Sequence, residues 1–157
     1  MTTMTTADMT MMRDVYRAWA ALDEALDYSA SLMRRMDRAI EHRNGAHASR
    51  VQREIDKTNA EIVVLRDEYS AMTKALLPQL IDHERVAAND YRSAYADRDP
   101  WLSYYAEIWA RHAIVLLLVL PYDHARTEWL LRNVERLSDD VHASALQWLT
   151  ARSVDRE

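Results

Sequence analysis

Two stretches of the chain, Met12 to Ile40 and Ala48 to Leu76, carry the same heptad rhythm on either side of one glycine-containing turn. The first places Met12, Val15, Trp19, Leu22, Leu26, Ser29, Met33, Met36 and Ile40 at alternating steps of three and four. The second repeats those steps with Ala48, Val51, Ile55, Thr58, Ile62, Leu65, Tyr69, Met72 and Leu76. Steps of three and four put every one of these side chains on one face of a helix. Folding the chain back at Asn44-Gly45 matches Met36 with Val51, Met33 with Ile55 and Val15 with Met72. The two polar residues of the stripes, Ser29 and Thr58, then share a layer and are read as a structural, register-fixing pair. Such agreement predicts a long antiparallel coiled-coil hairpin, with helices at about 8–42 and 47–77. Its seam of 29 residues would be about 43 Å long.

A single Gly and three Pro in 157 residues leave too few turn formers for a β fold, so the fold class is all-α. Asp8 reads as the first N-cap. Gly45 is expected to supply the left-handed residue that ends the first helix. Pro78 marks a kink or break before a third helix that ends near Arg98. Asp99-Pro100 is a start signal for a helix over 100–120, stopped by Pro121. Further helices are expected over 123–137 and, capped by Ser138 with Asp139 and Asp140 in its first turn, over 138–152, with a frayed tail at 153–157. A second row on the first helix, Ala18, Ala21, Ala25, Tyr28, Leu32 and Ala39, and the outer Val63 and Val64 need partners. The aromatic-rich part, 79–152, is expected to supply them. The whole, 1–157, reads as a single helical domain in which three to four shorter helices pack against the base of the hairpin.

No cysteine is present, which excludes disulfides, thiolate metal sites and a cysteine nucleophile. The start, MTTMTTADMTMM, lacks the basic and apolar segments of a signal peptide. The most apolar run, Ala113 to Leu120, is eight residues where a membrane span needs about 20. These features predict a soluble, cytoplasmic protein without membrane contact. Eighteen of the twenty basic residues are arginine, the bias of a GC-rich coding genome, bacterial or phage.

The charge is unevenly divided. Residues 34–59 hold seven basic and four acidic side chains, net +3, whereas the whole chain is −5. Arg34, Arg35, Arg38, Arg43, Arg50 and Arg53 make the hairpin tip, 34–59, a basic arm expected to project beyond the bundle. Such an arm can hold an acidic protein surface or a phosphate backbone. The bland alternative is a solvated flank in which Asp37 and Glu41 pair with nearby arginines. No aromatic residue is interleaved among these arginines, so base stacking is absent and any nucleic-acid contact would be to the backbone.

Glu107, Arg111 and His112 interrupt the most apolar helix and are the candidate pocket. Glu107 and Arg111, four apart with the acid first, are also the favoured order for a plain intrahelical ion pair. Asp82-His83-Glu84, Asp139 with His142 and His124 with Glu128 lack the spacing of a metal site, so no metal or cofactor is expected. The letters Arg53-Glu54-Ile55-Asp56, with Glu61, Ile62 and Leu65, are shared with the first helix of all-helical chorismate mutases. Ser70 stands where the next arginine would be needed, and no family is assigned. Three function classes remain. The leading one is a non-catalytic interaction protein, an adaptor, regulator or assembly factor that docks a protein partner through its arm or self-associates. The others are a nucleic-acid-associated protein using the arm and a small enzyme or ligand-binding bundle around Glu107 and Arg111.

Overall fold

A computed structural model describes residues 6–151. The helices are α1 (Thr6–Glu41), α2 (Gly45–Ala96), α3 (Leu102–Val119), α4 (Ala125–Val134) and α5 (Asp139–Thr150), and no strand occurs among the described residues. The chain is an all-α helical bundle, as its composition and periodicity require. The expected frayed tail at 153–157 lies outside the described residues.

Pro78 does not break the second helix. It lies inside α2, which runs without interruption for 52 residues. Proline removes one helical N–H and crowds the carbonyl four residues earlier, a cost of about 3 kcal/mol. Leu80 and Glu84 are buried just beyond it, so the packing of the next turns outweighs the local cost.

The turn between α1 and α2 is also built differently from its sequence expectation. Arg43, not Gly45, takes the left-handed conformation, at φ 53°. Asn44 N–H donates to Ala39 O and Arg43 N–H to Ile40 O, the paired bonds of a Schellman ending. Asn44 then caps α2, its Oδ1 accepting from His47 N–H at 3.1 Å, and Gly45 is the first residue of that helix. The same device closes α2: Arg98 sits at φ 50°, with Asp99 N–H donating to Ala94 O. Asp99 Oδ1 accepts from Trp101 N–H at 2.7 Å and starts the turn into α3. His124 Nδ1 caps α4 by accepting from Arg126 N–H, and Ser138 Oγ caps α5 by accepting from Val141 N–H.

The chain divides into two compact units. One is Arg17–Met72, the remainder of α1 against the first half of α2. Here the α2 stripe is buried as its spacing requires at Val51, Ile55, Thr58 and Ile62. The α1 stripe needs correction towards the turn. Met33 is 51 % and Ile40 63 % exposed, while Leu32 is 1 % and Ala39 3 % exposed. Leu32 packs with Val51 and Ile55 in one cluster, joined by Met36. Leu32, Met36 and Ala39 step by four and three, so towards the turn the face of α1 that meets α2 combines positions from both apolar rows. Leu26, Tyr28, Val63 and Val64, for which partners were expected, stay exposed.

The other unit comprises the described residues of Met1–Tyr16 and Thr73–Glu157. Its core holds Met12 and Val15 from α1, Leu80 and Ala88 from α2, and Leu130 and Leu149 from α4 and α5. Helix α3 packs on both α5 and α4. Alanines at 106, 110 and 113 are buried on it and permit that close approach. By length and apolarity α3 passes for a short membrane-crossing segment, with mean hydropathy 1.2 over 18 residues. It also carries the Glu107–Arg111 ion pair and the buried His112.

Candidate functional site

The six arginines of the basic arm lie on the last turns of α1, the turn and the first turns of α2. All six are exposed, and among the described residues none forms an ion pair. Asp37 and Glu41, the acids nearest to them, are not their partners, and Asp56 is instead held by Gln52 Nε2 at 2.9 Å. The arm is therefore a set of free guanidinium groups, which favour bidentate contacts to carboxylates or phosphates. Beside them the exposed Leu26, Met33 and Ile40 recur every seven residues and form an apolar row along α1.

Glu107 and Arg111 are brought together as their spacing predicts, Arg111 Nη2 lying 3.2 Å from Glu107 Oε2. Ser144 Oγ on α5 also donates to Glu107 Oε1. The Arg111 guanidinium stacks 4.2 Å from the Trp148 ring, and Arg13 lies over the same ring at 4.0 Å. Arg13 Nε further donates to Trp148 O at 3.1 Å. Burial lowers the pKa of Arg111, while the neighbouring Glu107 opposes that shift. The group thus ties α1, α3 and α5 into one core.

His112 turns the other way. It is buried, its ring 6.2 Å from that of His83 on α2, and His83 Nε2 lies 3.5 Å from Asp8 Oδ1. His112 Nδ1 has no hydrogen-bond partner. Burial pushes its pKa down to about 4, with His83 and Arg111 adding repulsion. The imidazole is neutral near pH 7. Glu107 and Arg111 contact Ser144 and Trp148 of α5, whereas His112 contacts His83 of α2.

A different centre stands out in the structure. Glu84 on α2 is fully buried, and Arg126 on α4 clamps it: Nε donates to Oε2 at 3.0 Å and Nη2 to Oε1 at 2.7 Å. Trp109 Nε1 on α3 donates to Glu84 Oε1 at 3.2 Å. The Arg126 guanidinium also lies 3.8 Å from the Trp129 ring centroid. One carboxylate therefore joins three helices and orients two indoles. Next to it opens a cavity of about 420 Å³. Tyr91, Arg92 and Tyr95 from α2, Trp109 from α3, and Trp129 and Arg136 from α4 and its end line it.

The sequence pattern singles out Glu84 only within the Asp82-His83-Glu84 group, weighed as a metal site, and does not point to this centre. A signal was present: Ala88, Tyr91, Arg92 and Tyr95 follow the three-and-four step of a single helical face. The partners Arg126 and Arg136 lie far along the chain, and no local pattern links them to that face. Among the described residues no group of three or more histidine and acidic side chains is placed to hold a metal ion. Comparison with protein-family models, curated proteins and solved structures returns no match.

Proposed function

We propose that this is a non-catalytic helical interaction protein, an adaptor, regulator or assembly factor, whose arm at 34–59 docks on an acidic protein surface. The observation that carries the reading is the set of six exposed arginines without an ion-pair partner among the described residues, set beside the exposed Met33 and Ile40. Leu32 and Met36 packed on Val51 and Ile55 join the two helices of the arm, which makes it a stiff presenter for such a surface. Carboxylates on a partner would satisfy the guanidinium groups in pairs, and apolar side chains between them would cover Met33 and Ile40. A phosphate backbone would use the charge and leave the apolar row in water. That difference favours a protein partner, with a second copy of this chain or a nucleic acid as the competing readings.

The test compares the intact chain with R38E/R43E/R50E and with M33S/I40S, all carrying the same affinity tag, in extract of the native cell. Retention of one acidic protein by the intact chain and its loss with both variants supports the proposal. Identical capture by all three chains refutes it. Retardation of short duplex or single-stranded DNA or RNA at low salt, with affinity falling steeply as salt rises, would transfer the arm to nucleic acid. A solution mass of twice the chain mass, reverting to one in M33S/I40S, would make the partner a second copy.

A further inference from the structure

We propose that the cavity beside Glu84 is a binding site for a planar aromatic phosphate of mononucleotide size, a function independent of the basic arm. Its volume of about 420 Å³ lies in the range of small-molecule sites. Its walls are aromatic: Tyr91 stacks on Trp109 at 5.4 Å with 17° between the planes, and Trp129 meets Trp109 edge-on at 5.9 Å. Tyr95 extends that wall outward and is exposed. Tyr91 covers a face of the buried Trp109 and guanidinium groups lie over Trp129, so a flat ring entering here stacks on the exposed Tyr95; a base stacked on an aromatic side chain contributes about 1–3 kcal/mol.

The charge of the lining selects the rest of the ligand. Two arginines lie over the Trp129 ring and Arg136 joins the cavity lining, but Arg126 is neutralised by Glu84. Arg92, 4.7 Å from the Trp129 ring, and Arg136 form no ion pair among the described residues, and no carboxylate lines the cavity. Two free guanidinium groups match the near-double charge of a phosphate monoester at neutral pH and its three acceptor oxygens. Asn133 donates its Nδ2 hydrogen to Trp129 O at 2.7 Å, which fixes the amide at the cavity wall. The buried Glu84 holds Trp109 and Arg126 whether or not a ligand is present. The aromatic walls are therefore built in advance, and binding need not order them.

Isothermal titration and tryptophan quenching of the full chain with AMP, GMP, CMP and UMP test the assignment, with adenosine and inorganic phosphate as partial ligands. At least one mononucleotide is expected to bind with Kd of about 100 μM or tighter. Adenosine and phosphate alone are expected to bind at least about tenfold more weakly, and R92Q and R136Q each to weaken the mononucleotide about tenfold. Both arginines are exposed, so circular dichroism of the variants should match the parent; R66Q, at an exposed arginine outside both the arm and the cavity, should leave the affinity unchanged. Absence of heat and quenching with all four mononucleotides at millimolar concentration overturns the proposal. So does an affinity that is shared by inorganic phosphate or that survives both R92Q and R136Q.

Discussion

The Glu84–Arg126 pair makes the sharpest demand on stability. Replacing Arg126 with methionine keeps much of the apolar stem and removes the guanidinium. Glu84, with no exposed side-chain surface, would retain one hydrogen bond, that from Trp109 Nε1. Opposite charges about 4 Å apart attract by about 4 kcal/mol at an effective dielectric near 20. Removing one member of a buried pair costs roughly 3–5 kcal/mol, because the remaining charge is stranded. The Arg126 side chain is 18 % exposed, which moves the expectation to the lower half of that range. Loss of its stacking on Trp129 adds about 0.5–1 kcal/mol. The expected loss for R126M is therefore about 4 kcal/mol, a fall in Tm of about 8–16 °C for a chain of this size. Urea unfolding followed by tryptophan emission reads it, since four of the five tryptophans lie between residues 101 and 148. The double variant E84Q/R126M should recover at least about half of the loss, because no buried charge is left unpaired. A cost below about 1 kcal/mol for R126M, or no recovery in the double variant, would refute the argument that a buried carboxylate organises this core.

Two further outcomes follow from buried His112 and from Pro78. The unfolded chain binds a proton at His112 near pH 6.5, whereas the folded chain holds it off until about 4. Its contribution is thus intact above pH 6.5 and is lost as pH falls from 6.5 to 4, by about 1.4 kcal/mol per unit. Asp8 opposes the shift and His83 and Arg111 reinforce it, so H112Q should lose about 2.5 kcal/mol less than the parent between pH 7 and 4.5; equal losses would contradict this. P78A restores an N–H to Lys74 O inside α2 and removes a steric clash. Allowing for the greater freedom of the unfolded chain, the urea midpoint should rise by the equivalent of about 2 kcal/mol. No rise would contradict a continuous helix through residue 78.

Much of the helical order was legible because it is local. The cap at Ser138 acts within three residues of itself, and the α2 stripe from Val51 to Ile62 needs no knowledge of its partner to be recognised; α3 starts at Leu102 with Trp101 at its N-cap, two residues later than Asp99-Pro100 signals. The breaks in legibility have physical causes. Gly45 looked like the helix terminator because glycine tolerates positive φ, yet an added Cβ there would meet nothing within 4 Å, and Arg43 bears the left-handed turn instead. Pro78 looked like a stop because its cost is local, whereas the burial that offsets it at Leu80 and Glu84 comes from residues on other helices.

Periodicity and composition thus determined, without any structure, that the chain is helical, that it reverses near Asn44, and that residues 34–59 are basic. These follow from side-chain spacing and charge, which are properties of neighbouring residues. Tertiary structure alone decided that Leu32 and Ala39, rather than Met33 and Ile40, enter the seam, because adjacent positions on α1 are all apolar and only contact with the second helix separates them. It also decided that Glu84 meets Arg126, 42 positions away. A carboxylate in a helix reads as a surface charge until the fold shows which side it faces and what cation is waiting there.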